Sequence, residues 1–144
     1  MEGKGYSTID QFGMAQKGGA VTSHVRIAAH QEDIQAARLS NGGADLILGC
    51  DSLVSASEIA LNTIDPGRSH VLINTHQAIT GHFALDPNLA FPTDDVEMRI
   101  RAELGAGAGS GAGKATFVNA THLATSLLGD AIGANLFMLG HTYQ

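Results

Sequence analysis

Cysteine is nearly absent from this 144-residue chain, and Cys50 is the single one. An internal disulfide is therefore excluded, and so is a four-cysteine iron–sulfur cluster held by this chain alone. Basic residues are also scarce: eight Lys and Arg stand against fourteen Asp and Glu, for a formal net charge of -6. Nucleic-acid binding in bulk needs a basic footprint, and this composition supplies none. No apolar run reaches the roughly 18 residues that a membrane-spanning helix needs. No signal-peptide pattern opens the chain, so the expected setting is cytoplasmic.

What is there suits one folded domain with a real core. Hydrophobic residues make up 44% and charged residues only 15%, so the surface is sparsely charged and part of it is expected to be buried against a partner. "ADLILGCDSLVSASEIALNTIDPGR" has a strand-then-helix grammar. Leu46, Ile47 and Leu48 form a short continuous apolar run, the mark of a strand covered on both faces. Asp51 is a helix N-cap, Leu53, Ala56, Ala60 and Ile64 recur at helical spacing, and Pro66-Gly67 ends the element. His70 to Thr75 is the next buried strand, so the order fits a parallel crossover and an α/β fold.

Further on, Pro87 and Pro92 make the stretch from Gly81 to Pro92 loop-like. Asp94 caps a helix running to about Leu104, with Glu97 completing a capping box and standing four residues before Arg101. Thr116 to Ala120 is a further strand. "THLATSLLGDAIGANLFMLG" supplies helices broken near Gly129, with Asp130 as a second cap and small residues Ala131, Gly133 and Ala134 for close packing. "GAGAGSGAGK", Gly105 to Lys114, imitates a phosphate loop and fails. Ala108 stands where the first glycine belongs and Ala115 where the hydroxyl belongs. It reads as a Gly/Ala-rich flexible surface loop spanning 105–114.

Among candidate sites, the seven histidines lack HxH or HExxH spacing, and the serines near Cys50 lack a GxSxG elbow. Cys50, between a strand and a helix N-terminus, has a reactive reading as a stabilised thiolate and a structural one as a small residue at a close approach, and the structural one is favoured. "GMAQKGGAVTSHVRIA", Gly13 to Ala28, carries more. Amides through Lys17, Gly18 and Gly19 suit an anion-binding nest, with the Lys17 ammonium beside it. In the alternating strand that follows, Val21, Ser23, Val25 and Ile27 share one parity, and His24 and Arg26 the other. The rival is a glycine turn before a half-buried strand whose polar face is merely wet. The residues alone leave both open.

Five ordered blocks carry a family likeness: "GMAQKGGAVTSHVRIA", "ADLILGCDSLV", "PGRSHVLINTH", "FALDPNLAFP" and "TSLLGDAIGANLFMLG". Together they resemble the gamma-type domain of 2-oxoacid:ferredoxin oxidoreductases, and are most similar to the version near the C-terminal end of long, fused indolepyruvate-type enzymes. The likeness spans nearly all of residues 1–144, with the Gly/Ala loop as its gap. It implies a three-layer α/β/α domain with a mostly parallel or mixed sheet. "MEGKGYSTID" reads as a helix tail running into a strand at Tyr6 to Asp10, so the expectation is a single truncated domain lacking its first strand–helix unit.

The resemblance further implies a parent complex that oxidatively decarboxylates a 2-oxoacid, such as indolepyruvate or pyruvate, to acyl-CoA. Thiamine diphosphate with Mg2+, 4Fe-4S clusters and coenzyme A serve that complex mainly on other domains or subunits, and ferredoxin is its acceptor. No cofactor is expected on this chain alone, and no catalytic or metal-binding residue is assigned to it. Gln16, Lys17, Gly18 and Gly19, with His24 and Arg26, are then a contact surface toward a neighbouring catalytic domain or a cofactor phosphate. Self-association as a homodimer or higher oligomer is expected through the Gly5–Asp10 strand. The alternative is a stand-alone binding module for a small anionic metabolite or nucleotide.

Overall fold

A computed structural model describes residues 3–12, 20–77, 92–105 and 113–143. The expected three-layer α/β/α architecture is present. Its centre is a parallel three-stranded sheet in the order β3 (Leu46–Gly49), β4 (His70–Asn74), β5 (Lys114–Val118). An antiparallel hairpin of β1 (Gly5–Phe12) and β2 (Val21–Ala28) forms a second, separate sheet, so parallel and antiparallel pairing coexist.

Strand alternation sorts the core into two halves. Val71 and Ile73 of β4 point to the face covered by α1 (Ser52–Ser55), α2 (Glu58–Leu61) and α3 (Thr93–Glu103), where Ala56, Leu61, Val96 and Ile100 meet them. Leu72 points to the opposite face and packs against Ala120 and Ala124 of α4 (Ala120–Leu128) and Ala134 and Met138 of α5 (Ala134–Tyr143). Strand β4 is apolar on both parities because it is the central strand and both faces are covered.

The apolar seam of α3 is as the periodicity predicts: Val96, Ile100 and Leu104 are all buried. Glu97 and Arg101 form the expected pair, at 2.7 Å. The break near Gly129 is also present. Gly129 ends α4 with φ 77°, a left-handed conformation that glycine adopts without steric cost. Asp130 then accepts a hydrogen bond from the Ile132 amide at 3.0 Å.

Four local expectations are corrected. The run Leu46–Leu48 is not covered throughout, because β3 is an outer strand of the described sheet and Leu46 is exposed. One helix through Ile64 gives way to two single turns. Asp51 does cap the first, accepting from the Leu53 and Val54 amides at 2.9 and 3.2 Å. Ser57 then turns extended and caps the second turn, so the side chain that competes with the main chain breaks the helix. Ile64 stays in the core, but through a parallel bridge to Ala44.

In α3 the N-cap position is Pro92, with no side-chain cap, and Asp94 sits within the first turn. The last strand begins at Lys114 and ends at Val118, because Asn119 leaves the sheet to cap α4 by accepting from the His122 amide at 2.9 Å. The loop-like stretch Gly81–Pro92 and the Gly/Ala tract fall mostly outside the described residues.

Candidate functional site

Among the described residues, two regions bear on a candidate site. The first is the hairpin. Cross-strand partners share a face, so Ser7, Ile9 and Gln11 of β1 lie with Arg26, His24 and Thr22 of β2. This face is covered by residues 30–39, which cross it as a strap opened by a 3-10 turn at Gln31–Asp33.

Side chains fasten the strap. His24 Nδ1 accepts a hydrogen bond from the Leu39 amide at 2.9 Å, and the Arg26 guanidinium donates to the Ala36 carbonyl at 2.8 Å. The Tyr6 amide donates to Gln31 Oε1 at 3.0 Å, and Arg38 donates to Gln11 Oε1 at 3.1 Å. A side chain at Gly5 would run into the Gln31 main chain, so glycine lets the strap lie close.

Of the two readings left open, the merely wet polar face does not hold. His24 is buried, and the parity that faces solvent is the apolar one, with Tyr6, Val21, Val25 and Ile27 all exposed. The physical reason is local. Main-chain amides and carbonyls of the strap need partners when covered, and His24 and Arg26 supply them. The structure places His24 and Arg26 on one face and commits an atom of each to the strap. Gln16, Lys17, Gly18 and Gly19 lie outside the described residues, as does any nest they form.

The second region is the C-terminal end of the parallel sheet, where open α/β sheets commonly bind ligands. Its organiser is Asn74, at the end of β4. Asn74 Oδ1 accepts from the Ala120 amide at 3.1 Å and from the His76 amide at 3.2 Å. Its Nδ2 donates to Thr121 Oγ1 at 2.9 Å and to the Cys50 carbonyl at 3.4 Å. One side chain thus ties together the ends of β3 and β4 and the start of α4. Sequence reading overlooked it, although a lone amide ending the apolar run of His70–Asn74 was the available signal.

Beneath these strand ends lies a cavity of about 20 Å³ bordered by Ser52, Thr75, Thr93, Glu97 and Phe117. Ser52 Oγ is buried there with no hydrogen-bond partner among the described residues. The space admits about one water molecule and nothing the size of a nucleotide or thiamine cofactor. Among the described residues, no group of three or more His, Cys, Asp or Glu side chains is placed to hold a metal ion. The donor set of the described residues does not fit an iron–sulfur cluster or a magnesium-bound diphosphate.

Cys50 is solvent-accessible and unpaired, yet burial by the surrounding protein pushes its thiol pKa up from the ordinary value. The helix that follows is a single turn whose first amides are taken by Asp51, so it offers the sulfur little stabilisation. The close approach sits one residue earlier, where a side chain on Gly49 would meet Ser55 and Ile73. A raised pKa means a smaller thiolate fraction at any given pH. Iodoacetamide is therefore expected to label Cys50 more slowly than a free cysteine at pH 7, with the rate still climbing above pH 9. Labelling faster than the free amino acid would show the thiol to be activated.

The family model for pyruvate ferredoxin/flavodoxin oxidoreductase matches residues 1–144. The chain belongs to this family. The match runs from the first residue to the last and agrees with the gamma-type resemblance, without resolving a finer subfamily. No curated protein and no solved structure shows significant similarity to the chain. Membership links the domain to oxidoreductases that act with iron–sulfur partners, and no helix among its described residues is long and apolar enough to cross a membrane.

Proposed function

We propose that this chain is a gamma-type part of a 2-oxoacid:ferredoxin oxidoreductase of the indolepyruvate or pyruvate type, and that it works there as a docking and support element. The parent reaction is oxidative decarboxylation of the 2-oxoacid to acyl-CoA. Thiamine diphosphate, Mg2+ and 4Fe-4S clusters are assigned to other domains or subunits, and ferredoxin to the acceptor. Self-association and a cytoplasmic setting belong to the same reading.

The observation that carries it is the inverted hairpin. A two-stranded ribbon has little stability of its own, and this one commits its polar face to the strap while turning Tyr6, Val21, Val25 and Ile27 to solvent. Such a face gains by being covered by the neighbouring catalytic domain. The Gln16-Lys17-Gly18-Gly19 segment, which lies between the two strands in sequence, is assigned to the same contact.

The test is a Val25→Asp/Ile27→Asp variant expressed within the parent assembly. The isolated variant is expected to keep its circular dichroism, because both side chains already face water. Recovery of the assembled complex and its 2-oxoacid-dependent ferredoxin reduction are expected to fall about tenfold or more, as for central interface positions. Undiminished assembly and activity would remove the docking role. The wild-type chain alone is expected to show no 2-oxoacid oxidation with coenzyme A and ferredoxin.

A further inference from the structure

The C-terminal helices present a second unpartnered surface, distinct from the hairpin. Buried Ala134 and Met138 fix which side of α5 faces the sheet. The opposite side also carries large apolar side chains, and an apolar helix face is ordinarily covered. Ile132, Leu136, Leu139 and Tyr143 are exposed to 85%, 73%, 53% and 94%, and Leu127 and Leu128 of α4 extend the patch. Leu136, Leu139 and Tyr143 lie on α5, and Ile132 on the 3-10 turn Ala131–Gly133 that leads into it. Along the sequence the four recur at steps of four, three and four, as in the seam of a helix that packs against another helix.

We infer that this seam is where two copies of the chain meet, α5 against α5, across a two-fold axis. Three observations point to a second copy as occupant. The seam is self-complementary when run antiparallel: Leu136 falls opposite Leu139 of the second copy, and Ile132 opposite Tyr143. The face is nearly free of charge, since Asp130 is the single Asp, Glu, Lys or Arg from Ala120 to Tyr143. A chain of net charge -6 meets its own copy with least repulsion there.

The area also suffices. Six large side chains, each presenting on the order of 100 Å² of apolar surface, give roughly 1,200 Å² over two copies, the lower bound for a stable specific interface. Gly140 adds to this. It lies in the interior of α5, where glycine weakens a helix, and a side chain there would touch nothing within 4 Å of its own chain. Beside the seam, a glycine lets a second helix approach closely. This seam gives the self-association of the proposed function a location, and it is separate from the hairpin, whose occupant is the catalytic domain and whose readout is assembly of the parent complex.

The experiment is multi-angle light scattering on the full chain at tens of micromolar, with Leu136→Glu/Leu139→Glu alongside. The wild type is expected at twice the chain mass. The double variant is expected as a monomer, its association weakened on the order of a hundredfold or more by the lost burial of two leucines on each copy. A monomeric wild type would overturn the inference. So would a folded double variant that remains a dimer, and loss of that dimer on Thr8→Pro would then assign association to the β1 strand. Should the double variant fail to fold, Leu136→Cys mixed with Leu139→Cys, each in a Cys50→Ser background, decides the matter. Disulfide-linked dimers on mild oxidation support the seam, and their absence rejects it.

Discussion

Asn74→Ala is expected to be among the most destabilising single substitutions in the chain, costing about 3 kcal/mol or more at the one to three that each orphaned buried polar group contributes. The side chain is almost fully buried and serves four partners on three segments. Truncation leaves the Ala120 amide without an acceptor at the start of α4 and frees the His76 amide and the Cys50 carbonyl. The loss is also architectural, since these bonds hold adjacent strand ends in register with the helix that crosses to the opposite face. Urea denaturation is the direct measurement, with a lowered midpoint and an unchanged slope expected. A midpoint within error of wild type would show that water replaces the amide at no cost, and the organising role would go with it.

Ile100→Ala is expected to cost about 3–4 kcal/mol, in the range measured for emptying a fully packed core position. Ile100 has no exposed surface and belongs to the same buried cluster as Val71 and Ile73 of β4, Ala56 and Leu61. For a domain near this size the loss corresponds to a fall in Tm of roughly 10 °C. Met98→Ala, on the solvent side of the same helix, is the matched control and should stay within about 0.5 kcal/mol of wild type. Equal effects at the two positions would contradict the burial pattern of α3.

Residues whose structural signal is local were legible without the fold. The continuous apolar run at β4, the seam Val96–Ile100–Leu104, the Asp51 and Asp130 caps and the glycine break at Gly129 each announce themselves within a few positions. The family resemblance rested on such blocks in order, and the family match spans the same residues. Where the structure departs from these local signals, a second local preference wins. Ser57 split the helix after Cys50, and Asn119 left β5 early to cap α4.

The sequence by itself determined the α/β class, the two-sided burial of β4 and the family. Composition and hydrophobic period depend on residue type and spacing, which survive without coordinates. Only the tertiary structure decided which parity of β2 is covered. Alternation states that a strand has two unlike faces, but not which face the chain returns to, and here the strap from His30 to Leu39 selected the polar one. It also decided that Asn74 joins three segments and that Ile132, Leu136, Leu139 and Tyr143 are left uncovered. Both depend on where distant parts of the chain arrive, and an apolar helix reads the same in sequence whether one side of it is buried or two.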